Sequence, residues 1–154
     1  MNIGSQAPDF ALYNTEKELV SLNDLKGKNV LLLFFPLAFT SVCTKELCSV
    51  RDNLTMYNDL NVQVLGISVD SLYTLGKYKE SLDINFPLLS DFNKQTSKDY
   101  NTLYPLFSFG MEGVSKRSAF IIDKNGILQH AEILENAGEV PDFEAIIKVL
   151  NSLN

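Results

Sequence analysis

Asn29-Val-Leu-Leu-Leu-Phe-Phe35-Pro36-Leu-Ala-Phe-Thr40-Ser-Val-Cys43 is the stretch that decides the fold of this 154-residue chain. Residues 29–35 form an apolar run of strand length, and Pro36, which has no N–H to donate to a ladder, closes it. A loop of about four residues follows. From Cys43 onward, the apolar positions Cys43, Leu47, Val50, Leu54 and Tyr57 recur at steps of four, three, four and three, which predicts one amphipathic helix reaching Tyr57. Thr40 or Ser41 is then the N-cap.

Outward from this strand and helix, the pattern continues to alternate. Val62-Gln-Val-Leu-Gly-Ile-Ser-Val69 reads as a buried strand. Asp70 or Ser71 can cap a helix that turns Leu72, Leu75, Tyr78 and Leu82 inward. Residues 86–89 form a short strand, and residues 118–123 and 127–133 flank Lys124-Asn125-Gly126 as an antiparallel hairpin. A last helix starts near Pro141 or Asp142 and buries Phe143, Ile146, Ile147 and Leu150. Residues 7–12 and 19–20 suit a small additional hairpin. With no internal repeat, linker or low-complexity tract, residues 1–154 read as a single α/β domain, a central mixed sheet flanked by helices.

Composition excludes several classes of function. A hydrophobic content of 45% is enough for a core, and a net charge of −6 argues against a nucleic-acid partner, which requires a basic footprint. Met1-Asn-Ile-Gly-Ser lacks the basic and apolar regions of a signal peptide. No apolar run approaches the roughly 20 residues that span a bilayer, so no membrane partner is expected. Only two cysteines, in a reactive context, fit the reducing cytoplasm better than a disulfide-stapled secreted life.

The chemistry centres on Cys43. In the first turn of a helix, unpaired backbone N–H groups and the positive end of the dipole favour a thiolate over a thiol, lowering the cysteine pKa from its free value of about 8.5. The Thr40 hydroxyl, three residues earlier, can donate to the sulfur or to an oxygen bound beside it, and Pro36 can keep bulk water away. Only Arg51 and Arg117 supply guanidinium groups. Arg117 immediately precedes the strand at 118–123, so it can lie beside the end of the first strand, where forked donors suit both a thiolate and a polar oxygen pair.

At these residues the chain resembles the peroxiredoxins, whose signature Pro-x-x-x-Thr-x-x-Cys is matched by Pro36, Thr40 and Cys43. The longer run from Phe34 to Cys43, Glu46-Leu47, Arg51-Asp52, Phe86-Pro-Leu-Leu-Ser-Asp91, Ala131-Glu132 and Gly138-Glu139-Val140 are similar to the alkyl hydroperoxide reductase E-like group, so the resemblance covers nearly the whole chain. It implies a thioredoxin-like fold and a thiol peroxidase without a cofactor or metal. Cys43 would be the peroxidatic cysteine, Thr40 and Arg117 would orient and polarise the peroxide, and Pro36 would shield the thiolate. Thiolate attack on hydrogen peroxide or an organic hydroperoxide would leave a sulfenic acid, which a second thiol converts to a disulfide. A thioredoxin-like protein or a low-molecular-weight thiol would then restore the cysteine, and pairing through loops near the site implies a homodimer.

Cys48 offers two routes for that second step. Five residues along an ideal helix place its Cα roughly 8 to 9 Å from that of Cys43, beyond the limit of about 7 Å for a disulfide. A Cys43 to Cys48 bridge therefore requires the helix start to unwind. The Cys-x4-Cys spacing looks like that of the bacterioferritin-comigratory group, in which the second cysteine resolves the first. The surrounding sequence favours the E-like group, in which an external thiol commonly suffices.

Other residues carry plainer readings. A cysteine on an apolar stripe is ordinarily an inert core residue, and Pro36 and Thr40 are what lift Cys43 above that. Glu46 reads as a first-turn charge that favours the helix dipole, with a proton relay as the alternative. Arg51 pairs with Glu46 or Asp52, or supports the site as the resemblance implies. His130, the only histidine, reads as structural or surface-exposed. Leu103-Tyr-Pro-Leu-Phe-Ser-Phe-Gly-Met111 is either core and loop packing or a hydrophobic rim that receives an organic peroxide or a second subunit. A Cys-x-x-Cys oxidoreductase, a zinc tetrad, an iron–sulfur cluster and a phosphate-binding Gly-rich loop all lack their residues here. The competing function is a peroxide-sensing redox relay that passes oxidation from the same thiolate to a partner protein.

Overall fold

The computed structural model describes residues 1–153, and the side chains of residues 41–44 lie outside the described set. Five strands form the central sheet, in the spatial order 88–90, 62–68, 29–34, 118–122 and 128–133. β3 (Asn29–Phe34) pairs in parallel with β4 (Val62–Ser68), which pairs in parallel with β5 (Leu88–Ser90). β8 (Ser118–Ile122) lies antiparallel to β3 and forms the expected hairpin with β9 (Leu128–Ile133). The mixed sheet flanked by helices is thus the architecture that the sequence predicts.

Burial on both faces explains why β3 reads as an unbroken apolar run. Leu31, Leu33 and Phe35 enter one core, with Leu47 and Val50 of α1 (Ser41–Asp52), Leu75 and Tyr78 of α3 (Leu72–Leu82) and Ile146 and Leu150 of α5 (Phe143–Ser152). Val30, Leu32 and Phe34 enter the opposite core with Ala7, Phe10, Leu22, Phe120 and Tyr100. Gly66 marks the tightest point of β4, because a Cβ there would meet Leu88 Cδ2 at 2.6 Å.

The structure corrects the sequence reading in several places. The helix expected to run from Cys43 to Tyr57 breaks at Asn53 (φ −115°, ψ 16°), and Tyr57 belongs to α2 (Leu54–Asp59). The Asn53 amide donates to Ser49 O at 2.8 Å, a side-chain bond that competes with continuation of the helix. Ser71, not Asp70, caps α3, accepting from Thr74 N. Leu72 and Leu82 of that helix are only half-buried, as are Phe143 and Ile147 of α5. The short strand begins at Leu88, after Pro87 rather than before it. In the N-terminal hairpin, β1 (Ala11–Tyr13) pairs with β2 (Leu19–Ser21), while Ala7 and Phe10 pack into the core outside any strand.

Three further elements had no sequence signal. α4 (Gln95–Asp99) is a short helix, and β6 (Leu103–Tyr104) pairs antiparallel with β7 (Val114–Ser115). Between β6 and β7, Leu106 and Phe109 are exposed, so the 103–111 segment is not simply core packing. Among the described residues, no helix is long and apolar enough to cross a membrane.

Candidate active site

Strand register assembles the candidate site. Phe34 of β3 lies opposite Ser118 of β8, so Arg117 stands at the carboxyl end of β3, where the chain turns through Phe35 and Pro36 toward α1. The carboxyl ends of parallel strands are where open α/β sheets gather functional groups. Pro36 is buried in this turn, and position 43 falls in the first turn of α1, as expected. The Cys43 side chain lies outside the described residues, so the geometry below is that of the frame around it.

Contacts on several sides hold the frame's entry loop. Ala38 N donates to Asp70 Oδ2 at 2.7 Å, and Ser68 Oγ donates to the same oxygen at 2.9 Å. Asp70, freed from the capping role that Ser71 takes, therefore clamps the loop before α1 to the end of β4. Phe39 adopts a left-handed conformation (φ 68°) and packs edge-on against buried Tyr78, with ring centroids 5.0 Å apart. That conformation costs a non-glycine residue about 1 kcal/mol or more, and persists where surrounding contacts over-determine it. Thr40 is the N-cap of α1 without a side-chain capping bond; its hydroxyl donates to Leu37 O at 3.1 Å.

Arg117 is 1% exposed and oriented on two sides. Its Nε and Nη2 both donate to Ala137 O, at 3.2 and 2.9 Å, and its Nη1 donates to Glu46 Oε1 at 3.4 Å. Glu46 is fully buried, and its Oε2 has no hydrogen-bond partner among the described residues. Burial pushes Glu46 up to about 8, against the lowering effects of the Arg117 charge and hydrogen bond, and Glu132 adds a further upward push. A charge-assisted pair closes to about 2.8 Å, so the longer contact here is too weak to offset desolvation. Glu46 is accordingly not the helix-dipole charge expected from sequence. The first turn of α1 holds no acidic residue, and Glu46 points into the protein toward Arg117.

Cys48 is a free, half-buried thiol on α1. Arg51, in the last turn of the same helix, pairs with Asp52 at 2.9 Å rather than with Glu46, and its Nη1 donates to Leu82 O at 2.6 Å. The hydrogen bond that Arg51 donates to Asp52 raises it above the ordinary guanidinium value, with Cys48 contributing through charge. Arg51 thus lies within the electrostatic reach of Cys48. His130 lies on β9 opposite Ile121, with Nε2 buried and unpartnered among the described residues. A cavity of about 630 Å³ opens elsewhere, between β1 and the starts of α3 and α4, and none of these site residues lines it.

Sequence reasoning missed Phe39, Ala137 and the clamp made by Asp70. Asp70 was visible only as a rival helix cap. Ala137 acts through its carbonyl, which every residue has, and a phenylalanine gives no warning of a positive φ.

Comparisons with known proteins give the family of the chain. The model of the AhpC/TSA family matches residues 3–131. The chain is 40% identical to the ycf42 peroxiredoxin of Pyropia yezoensis, over 99% of this chain and 78% of the relative. It is 38% identical to alkyl hydroperoxide reductase E of Mycobacterium tuberculosis, over 92% of this chain and 91% of the relative. The crystal structure of reduced Plasmodium vivax 2-Cys peroxiredoxin superposes with a TM-score of 0.85 at 34% identity, covering 98% of this chain and 81% of the other.

Proposed function

Because this chain belongs to the AhpC/TSA family of peroxiredoxins and is a thiol-dependent peroxidase with a thioredoxin-like fold, we propose that Cys43 is its peroxidatic cysteine. The observation that carries the reading is a buried guanidinium, Arg117, held at the carboxyl end of β3 where the chain enters α1. The Cys43 thiolate attacks one oxygen of hydrogen peroxide or an organic hydroperoxide in line. The S–O bond forms as the O–O bond breaks, sulfur loses two electrons, and the departing oxygen takes a proton to leave as water or an alcohol. Arg117 and the N–H groups at the start of α1 stabilise the charge that develops on the two oxygens. Thr40, at the N-cap of α1, orients the peroxide beside the thiolate. Pro36 keeps water from the thiolate.

The sulfenic acid then condenses with a second thiol, releasing water. Cys48 is the internal candidate, and its placement on the same helix requires the first turns of α1 to unwind. A small thiol or a thioredoxin-like protein in the cytoplasm supplies the reducing equivalents, and acts directly on the sulfenic acid if Cys48 does not. A homodimer is part of the reading: exposed Leu106 and Phe109 offer apolar surface that a second copy would remove from water.

Cys43→Ser tests the core of the proposal and should abolish peroxide consumption; retained turnover would refute it. Intact mass after one equivalent of peroxide separates the two resolving routes. Loss of two hydrogens marks a Cys43 to Cys48 disulfide, whereas gain of one oxygen with Cys48 still alkylatable marks the external route.

A further inference from the structure

We infer that Asn136 is a positioning residue for the reaction, because its side chain sets the direction of the backbone carbonyl that orients Arg117. The inference rests on the proposed role of Arg117 as the group that polarises peroxide.

The carbonyl in question is that of Ala137. Two edges of the guanidinium, Nε and Nη2, converge on this single oxygen, while the contact to Glu46 on the other side is longer and single. The Ala137 oxygen thus fixes one edge of the Arg117 plane through two of its nitrogens. That oxygen lies in the segment 134–140 after β9, which belongs to no strand or helix, so no ladder fixes its direction.

A planar peptide supplies the missing constraint. The Ala137 carbonyl and the Gly138 N–H belong to one trans unit, in which the oxygen and the hydrogen point to opposite sides. Asn136 Oδ1 accepts from Gly138 N at 2.8 Å. Holding the N–H on one side aims the oxygen to the other side, toward Arg117. Asn136 O also accepts from Glu139 N at 3.1 Å, closing the turn around this peptide.

The chain upstream is fastened to the same neighbourhood. Leu134 N donates to Arg117 O at 2.9 Å, Tyr104 Oη donates to Glu135 O at 2.7 Å, and Lys116 Nζ meets Glu135 Oε1 at 2.7 Å. These contacts end at Glu135. Downstream, Asp142 N donates to Glu132 Oε1 at 2.8 Å. Between them, Asn136 holds the N–H edge of the 137–138 peptide while its oxygen edge meets Arg117. Gly138, which has no Cβ, opposes rotation of that peptide little. Asn136 itself is exposed, so its removal should disturb the core little.

The test compares the second-order rate with hydrogen peroxide in the full chain for wild type, Asn136→Ala, Asn136→Asp and Arg117→Ala. Asn136→Ala should lose about tenfold, the scale on which a small misplacement of a catalytic group is felt. Asn136→Asp, whose carboxylate can accept the same N–H, should restore the rate to within about twofold. The Cys43 thiol pKa, followed by the pH dependence of alkylation, should rise in Asn136→Ala and return in Asn136→Asp. A wild-type rate in Asn136→Ala while Arg117→Ala collapses overturns the inference and leaves the peroxidase reading standing. An equal fall in Asn136→Ala and Asn136→Asp also overturns it. A wild-type rate in Arg117→Ala overturns the role of Arg117, and this inference with it.

Discussion

Asp91, in the turn before α4, and Glu46, on the second turn of α1, are both buried acids, but their oxygens are served differently. Asp91 Oδ1 accepts from Thr96 N at 3.2 Å and Oδ2 from Ser97 N at 2.7 Å, so each oxygen meets a fixed backbone donor. Burial raises its pKa, and the hydrogen bonds from Ser97 and Thr96 pull the other way. Glu46 has one oxygen near a cation at 3.4 Å and the other without a hydrogen-bond partner among the described residues. The first carboxylate acts as a structural bolt that satisfies the free N–H groups of a helix start. The second keeps a proton near neutrality, and the local field at Arg117 depends on whether that proton is present.

If the comparison is right, mutations on the Glu46 side change chemistry and those on the Asp91 side change stability. The largest effect should come from Arg117→Ala, with a loss of about 10² to 10³ in the second-order peroxide rate, as for removal of a preorganised donor. A loss below tenfold would make the Glu46 and Arg117 pair structural, like Asp91. Asp91→Ala should cost about 2–3 kcal/mol in urea unfolding, because it strands two buried N–H donors, while the rate per folded molecule stays within about twofold. Weakened activity in fully folded Asp91→Ala would erase the distinction.

The third prediction concerns pH. The folded pKa of Glu46, about 8, lies above its ordinary value of 4.5, so its contribution to stability is fully present below pH 4.5 and is lost as pH rises through 8. Over that window the wild type should lose at most about 1.4 kcal/mol per pH unit from this group, and Glu46→Gln should remove that slope. Identical slopes in the two proteins would show that Glu46 is ionised throughout. The smallest effect is kinetic. The ratio of wild-type to Glu46→Gln peroxide rates should be near one at pH 6.5 and fall about threefold above pH 8, where an ionised Glu46 draws on the charge of Arg117.

How much of this was legible depended on whether a signal was local. β3, β4, the β8 and β9 hairpin and α5 were readable because continuous apolar runs, a turn containing Gly126 and a 3.6-residue period lie within one short window. The break at Asn53 was not, because the stripe from Cys43 to Tyr57 continues across it while a single side-chain amide takes the Ser49 carbonyl. Arg117 reads from sequence as the head of a strand, yet Glu46 reads as a dipole charge because sequence spacing does not show that position 46 faces position 117. Arg51 offered two partners on paper, and it found Asp52 beside it and the Leu82 carbonyl on the end of α3.

By itself the sequence determined the strand, proline, loop and helix start that place Cys43 in a first helical turn, and with them the family and the class of chemistry. Only the tertiary structure decided what surrounds Arg117: the Ala137 carbonyl from a loop after β9 and the buried carboxyl of Glu46. The reason is physical. A strand or helix is selected by contacts within a few residues, whereas the charge state of a buried acid and the plane of a guanidinium are set by groups brought together from distant parts of the chain, 71 and 20 residues away here.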